Sequence, residues 1–545
     1  MRAILKNNKI EIMFPYRVEL VNLVKSFDNR KYEPASRSWF IPIFNARPAL
    51  EKLARQRFTI DSAVIDAVKE DERRVKEVEA IKILNDIDFE SSLALPLFPY
   101  QKVGAAFLCK VGSGLIGDEP GTGKTPQVLS VVNINKAEKV LIFCPAVLKY
   151  QWASEITDKF LPGSRVIVVD GSKDERFKLW RSEARFYIAN YELLLRDFED
   201  MNCREWDYIL ADESTRIQSP FAKQSKAIKR LRAKHRIAMS GTPISNTAQN
   251  IWNILDWCNP GSMNSYWSFI SRYCLKNTYG GIYGYVNMDE LREKVKRYMI
   301  RRLKKDVLPE LPERIESDII FALSAEEAEL QKQIKQELLF SINKMDISKL
   351  ENPMTLQFTI VKFGRLRQLA DSLELLGENK KSTKLEVLKE KLEEFKNTDQ
   401  KILIFSEFAE MCKILNRELV IYNPQMIIGE TSNKERQRIV EEFNTNPLNK
   451  VLILSSAGMY GLNLQAMASV IINYDLPFSL SKLEQRIGRA HRIGQKKNVM
   501  IYNLIGKGTA DMAIKKIIYN KQKISDTVLG DIPLTMSDIR GMLEL

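Results

Sequence analysis

Histidine and cysteine are scarce, with two and six in 545 residues. The cysteines (Cys109, Cys144, Cys203, Cys258, Cys274, Cys412) stand singly, and only His235 and His491 are there to complement them, so no structural zinc is expected. A reducing cytoplasm suits such a set. No uninterrupted apolar run approaches the ~20 residues that cross a bilayer, so no membrane partner is expected. Met1 to Glu11 carries scattered charges and no long apolar core, which excludes a signal peptide. Short-period repeats and long low-complexity tracts are missing too. These absences suggest an intracellular, cytoplasmic protein, and the compact N-terminal unit with the lack of long tails hints at a bacterium or phage.

What is present is length and positive charge. A chain of 545 residues exceeds what one core supports, so several domains are expected. Lysine and arginine number 83 against 69 acids, a formal net charge of +14. Such an excess favours a polyanion, whose released counterions drive association, although it also serves solubility.

Residues 1–65 form a small α+β unit: a strand at Lys9 to Phe14, a helix over Arg17 to Phe27, and a hairpin around Glu33-Pro34-Ala35-Ser36. A short helix follows at Leu50 to Gln56. Aromatic residues interleave there with Arg17, Lys25, Arg30, Lys31, Arg37, Arg47, Arg55 and Arg57, a pattern that suits stacking on nucleic acid or a plain solvated basic face. Residues 66–91 are a charged helical connector. Over 92–305, short apolar strands alternate with helices, the pattern of a parallel sheet, with Pro260 to Val295 as an insertion. Residues 306–383 are a linker and helical insertion, with long amphipathic helices over Ser324 to Leu350 and Met354 to Leu376. A second alternating region covers 384–530 and a tail covers 531–545. The expected fold class is therefore α/β, with two parallel-sheet lobes and the small α+β N-terminal domain.

Three stretches carry chemistry. Asp118-Glu119-Pro120-Gly121-Thr122-Gly123-Lys124-Thr125 lies between an apolar segment and a helical pattern. There glycines let backbone N–H groups close around phosphates, Lys124 reaches the β- and γ-phosphates, and Thr125 offers a hydroxyl to Mg²⁺. The strict pattern has glycine where this chain has Asp118. Asp212-Glu213 follows the strand Tyr208 to Ala211; Asp212 is placed to hold Mg²⁺ and Glu213 to deprotonate an attacking water. In Gln485 to Gln495, read as a helix, Arg489 and Arg492 share one face and aim two guanidiniums at one place. Taken singly, these are also a glycine-rich turn, an acidic turn and a solvated basic face.

In order along the chain, Leu97-Phe98-Pro99-Tyr100-Gln101, the 118–125 loop, Phe143-Cys144-Pro145-Ala146 with Gln151-Trp152, Asp212-Glu213-Ser214-Thr215 and Ser240-Gly241-Thr242-Pro243-Ile244 lie in the first half. Ile404-Phe405-Ser406, Ser455-Ser456-Ala457-Gly458 through Gly461-Leu462-Asn463-Leu464, Asp475-Leu476-Pro477 and Gln485 to Gln495 lie in the second. This set resembles superfamily-two helicases, specifically the SWI/SNF-type family of double-stranded DNA translocases, over roughly 92–525. The resemblance implies two RecA-like lobes that use ATP and Mg²⁺. Gln101 then reads adenine, while Gly121, Thr122, Gly123, Lys124 and Thr125, with Gly461 and Gln485, bind the nucleotide. Thr125 and Asp212 hold the metal, and Lys124, Glu213, Arg489 and Arg492 are catalytic. Ser240 and Thr242 couple the site to DNA. The sequence departs from the family at Thr215, Gln218, Ser219, Pro120, Thr122 and Phe478-Ser479-Leu480, which touches coupling rather than hydrolysis. Phe14-Pro15-Tyr16 through Trp39-Phe40-Ile41-Pro42 resembles the HARP (HepA-related protein) module of annealing helicases, which implies junction DNA.

The resulting expectation is an ATP-dependent translocase on double-stranded or branched DNA that remodels or reanneals it. The alternatives are a motor displacing proteins or RNA polymerase from nucleic acid, and a slow ATP-gated DNA clamp.

Overall fold

The computed structural model describes residues 1–518 except 28, 45, 244–247, 277–281, 344–363, 379–381, 460, 461, 463 and 466. The chain divides into two compact units: the first lies within Met1 to Leu303, and the second takes the chain from Lys304 onward and is also assigned Pro120–Thr122.

The first unit opens with a five-stranded sheet in the order β3-β4-β2-β1-β5, where β1 is Arg2–Lys6, β2 Lys9–Met13, β3 Lys31–Glu33, β4 Ser38–Pro42 and β5 Thr59–Ile60. The helix Val18–Lys25, the hairpin and the helix Arg47–Arg55 follow the residue pattern; β1 and β5 were not expected. The connector is a helix over Ser62–Lys82, begun by Asp61, whose carboxylate accepts from the Ala63 N–H at 3.2 Å. Its Val64 and Val68 pack into the small domain's core, while Val78 packs into the core of the large sheet. One continuous helix thus belongs to both cores.

That large sheet has seven strands in the order β14-β6-β11-β10-β7-β9-β8, and every pairing in it is parallel. The strands are β6 Gly114–Ile116, β7 Val140–Cys144, β8 Val166–Val168, β9 Phe186–Asn190, β10 Trp206–Ala211, β11 Ala233–Met239 and β14 Met299–Ile300. The insertion holds a helix at Tyr266–Tyr273, the strands β12 (Cys274–Lys276) and β13 (Ile282–Tyr285), and a helix at Met288–Lys296.

The second unit carries a six-stranded parallel sheet in the order β15-β20-β19-β16-β18-β17. Here β15 is Arg314–Phe321, β16 Lys401–Ser406, β17 Gln425–Ile427, β18 Val451–Ser455, β19 Ala468–Asn473 and β20 Val499–Gly506. Leu403, Phe405, Leu452 and Leu454 enter one core, and Ile402, Ile404, Val451 and Ile453 enter another. Successive side chains point to opposite faces, so a strand apolar throughout is covered on both sides. The stretch read as linker contributes β15, which pairs with β20 along all eight of its residues from Arg314 to Phe321. Its side chains are largely exposed, which is why no apolar run marks it. Of the two long amphipathic helices, the first is observed over Ala325–Asn343 and the second over 364–371; the remainder of both largely lies outside the described residues. No described helix is long and apolar enough to cross a membrane.

Candidate nucleotide-binding site

In the first sheet β6, β11, β10 and β7 are successive neighbours, so the segments leaving their carboxyl ends lie side by side. The phosphate loop leaves β6, Ser240-Gly241-Thr242 leaves β11, and Asp212-Glu213 leaves β10. Backbone bonds lock the alignment: the Ser240 N–H donates to the Ile116 carbonyl at 3.1 Å and the Asp212 N–H to the Phe143 carbonyl at 2.8 Å. A crevice at the carboxyl ends of parallel strands is where such sheets bind ligands.

The loop itself uses two glycines in the left-handed region, Gly121 at φ 88° and Gly123 at φ 72°. Gly123 precedes the helix Lys124–Ile134. A Cβ on Gly123 would stand 2.5 Å from Gln101 Nε2 and would displace that amide, and the positive φ itself disfavours any side chain there. Pro126 sits in the helix's first turn, where a missing N–H costs nothing. Lys124 Nζ donates to the carbonyls of Asp118 at 3.0 Å and Glu119 at 3.3 Å, which holds the ammonium over the loop. Gln101 is braced: its Oε1 accepts from the Phe98 N–H at 3.0 Å and its Nε2 donates to the Gly123 carbonyl at 3.2 Å. Thr122 is buried, and Thr125 is half-buried in the helix's first turn.

Asp118, the departure from the strict pattern, is fully buried and has a function in the fold. Its carboxylate accepts from Gln127 Nε2 at 3.1 Å, from the Arg302 N–H at 3.1 Å and from Arg302 Nε at 3.1 Å, with Arg302 Nη2 completing the pair. Arg302 also donates to the Tyr100 carbonyl and lies over the Tyr100 ring. The residue pattern gave Arg302 no role; it is an anchor of the phosphate loop.

Asp212 Oδ2 accepts from the Trp152 indole N–H at 2.9 Å, Oδ1 from the Glu213 N–H at 2.9 Å, and the Asp212 carbonyl accepts from the Tyr191 hydroxyl at 2.7 Å. Burial pushes the Asp212 carboxyl above the usual range, against the opposing pull of Trp152 and the Lys124 charge. Desolvated negative charge of this kind is what a divalent cation offsets. Among the described residues no group of three or more His, Cys, Asp or Glu side chains is placed to hold a metal. The Thr125 hydroxyl and the Asp212 carboxylate are oxygen donors of the kind Mg²⁺ takes, one or two from protein with water and phosphate completing its shell. Glu213 adopts φ 49°, ψ 53°, a left-handed conformation that a non-glycine residue occupies at a cost. The Ser240 hydroxyl accepts from the Thr242 N–H at 3.1 Å, which closes a tight turn.

In the second unit the helix after β19 spans Leu480–Ile487 and stops at Gly488. Arg489 and Arg492 therefore sit in the turns beyond it and are not on one helical face, a correction to the residue-spacing argument. The turn is pinned: the His491 N–H donates to Ile487 at 2.9 Å, His491 Nε2 meets the Pro312 carbonyl at 2.9 Å, and Gln495 Nε2 donates to Ala468 at 2.8 Å. Arg489 Nη1 donates to the Leu462 carbonyl at 3.3 Å. Gln485 is buried, and Gly461 lies outside the described residues. Sequence reasoning overlooked Arg486. It is fully buried and donates to Asn473 Oδ1 at 3.1 Å, the Asp475 carbonyl at 2.6 Å and Glu407 Oε1 at 2.8 Å, tying together the ends of β16 and β19.

Two parallel sheets, the first with a phosphate loop leaving one strand and an acidic pair leaving another, define a protein of the helicase-type P-loop class. The family profile described as SNF2-related domain matches residues 51–374, and that described as helicase conserved C-terminal domain matches 383–494. The chain belongs to the SNF2-related family, and its two sheets are RecA-like lobes. Among its relatives is YwqA of Bacillus subtilis, provisionally named an ATP-dependent helicase/translocase, 29% identical over 481 residues, covering 84% of this chain and 51% of that protein. Another is the DNA excision repair protein CSB of Oryza sativa, 27% identical over 553 residues, covering 87% of this chain and 45% of the relative. The chain thus spans about half the length of these curated relatives. Among solved structures, the Sulfolobus solfataricus SWI2/SNF2 ATPase core in complex with dsDNA is 30% identical, covering 83% of this chain and 98% of that one, with a TM-score of 0.40.

Proposed function

We propose that the chain is an ATP-dependent motor that translocates on double-stranded DNA. The observation that supports this most is the adjacency of three strand ends, which brings a lysine-bearing phosphate loop, a serine-threonine turn and the acidic pair Asp212-Glu213 to one edge of one sheet. In this reading Gly121 to Thr125 hold the nucleotide's phosphates and Lys124 balances their charge. Gln101 reads adenine by exchanging one of its two bracing bonds. Thr125 and Asp212 hold Mg²⁺, which supplies charge neutralisation at the phosphates. Glu213 takes the proton of the attacking water. Arg489 and Arg492, from the second unit, stabilise the charge on the transferred phosphoryl group. Ser240 and Thr242 link nucleotide state to the DNA track.

The finer reading, remodelling or reannealing of branched DNA, rests on a HARP-like role for residues 1–65. Its support is a hairpin that presents Tyr32 and Trp39, with ring centroids 5.1 Å apart, beside Arg30, Lys31 and Arg37. ATP turnover measured side by side with single-stranded, duplex and forked DNA and with RNA tests both levels. Duplex DNA is expected to stimulate turnover and forked DNA to stimulate it most. Turnover indifferent to every nucleic acid would refute the motor. Equal stimulation by fork and duplex would refute the junction reading alone.

A further inference from the structure

The small N-terminal domain and the insertion of the first sheet enclose a cleft that nucleotide hydrolysis does not use. Lys25, Arg30 and Trp39 form one wall and Ser265 and Ser268 the other, around a cavity of about 400 Å³. Asn29 and Asn264 are shared with an adjoining pocket of about 170 Å³, into which Lys52 and Lys294 project. The described lining residues of both include four cationic side chains and no acid, although Lys294 also faces Glu290 at 3.6 Å.

From this geometry we infer that the cleft is a binding site for single-stranded nucleic acid, assembled jointly by the N-terminal domain and the insertion. Three observations converge on that ligand. The cations are divided between two pockets that share Asn29 and Asn264, a spread that suits a phosphate backbone rather than a single anion. Trp39 lines the cleft and has Tyr32 opposite it across the hairpin, an aromatic platform for a base. The far wall is the start of the helix Tyr266–Tyr273, where Ser265 Oγ accepts from the Ser268 N–H at 3.2 Å, and a helix's first turn favours negative charge. The ligand is a single strand because stacking on Trp39 needs a base whose face is free, and bases in a duplex are already stacked. Binding here requires no ATP.

The test uses the full chain, a labelled oligothymidylate, no nucleotide, and anisotropy over a salt series. Lys25→Glu/Arg30→Glu is expected to weaken binding at least tenfold and to reduce the slope of log K against log[salt] by about 1.4, two single-strand phosphate contacts at ~0.7 each. Trp39→Leu is expected to weaken it at least fivefold. Because Trp39 also packs against the small domain's core, the charge-reversal pair keeps the test decisive if the tryptophan variant misfolds. Unchanged oligothymidylate binding in the charge-reversal variant overturns the inference, as does a wild type that binds heparin and oligothymidylate with equal affinity and slope. A wild type that binds oligothymidylate yet shows no DNA-stimulated turnover refutes the motor and supports the cleft.

Discussion

Asp118 and Arg302, 184 residues apart, form a buried ion pair beneath the phosphate loop. The Arg302 guanidinium reaches the Tyr100 carbonyl and Gln127 Oε1 as well, so one side chain ties the loop to the helices on either side of it. Motif logic alone says that Asp118→Gly, which restores the strict loop pattern, should be neutral or helpful. The structure says the reverse. Removing one partner leaves the other charge buried and uncompensated, a loss of ~3–5 kcal/mol. Thermal unfolding should show Asp118→Gly strongly destabilised, and Asp118→Gly/Arg302→Met recovering much of the loss. A stable single variant would mean that the pair contributes nothing.

Lys124 and Glu213 separate binding from chemistry. Lys124→Ala should abolish ATP turnover and weaken ATP binding, since it removes the ammonium held over the loop. Glu213→Gln keeps the shape and removes the base, so ATP should still bind while turnover falls by ~10²–10⁴-fold. Fluorescent-nucleotide binding beside single-turnover hydrolysis reads both quantities. Wild-type-like turnover in the glutamine variant would remove Glu213 from its role.

Most strands of both large sheets were legible in the sequence because a strand covered on both faces is apolar along its whole length, as in Val140–Cys144 or Val451–Ser455. Those that escaped had no such signature. Arg314–Phe321 is an edge strand with exposed side chains, and Met299–Ile300 is two residues long. The candidate residues Lys124, Asp212 and Glu213 were legible because each lies at a strand end in a spacing that phosphate chemistry requires. Arg302 and Arg486 were not. A buried arginine looks like a solvated one until its acceptors, which come from distant stretches of chain, are brought to it. The helical reading of Arg489 and Arg492 failed for a local reason: Gly488 closes the helix one residue before the first of them.

For those two arginines the expectation concerns rate. Arg489→Ala and Arg492→Ala should each lower kcat by ~10³-fold or more, the order attributed to arginine fingers, with nucleotide binding little changed. Steady-state hydrolysis at saturating duplex DNA is the measurement. Near-normal kcat in both variants would show that the second unit supplies no charge to the reaction.

Glu407 predicts a pH dependence whose sign is fixed by its partners. Burial alone would raise its pKa, but Arg486 at 2.8 Å, Lys482 at 3.3 Å, the Ser456 hydroxyl and Arg367 hold it down to about 2, against an ordinary 4.5. The carboxylate is 11% exposed, so solvent screens it little. A group whose pKa is depressed on folding contributes stability above its unfolded pKa and loses it as pH falls through the folded value. The window is therefore pH 4.5 down to about 2, and the contribution is on the order of 3 kcal/mol for a shift of about 2.5 pH units. Glu407→Gln should lower stability by that order at neutral pH, and the wild-type advantage should shrink across the same window. Comparing the two proteins at each pH cancels the other carboxylates, which titrate in both. An advantage that stayed constant from pH 6 to pH 2 would mean that Glu407 is not charged in the folded protein, and that Arg486 is held by Asn473 and Asp475 instead.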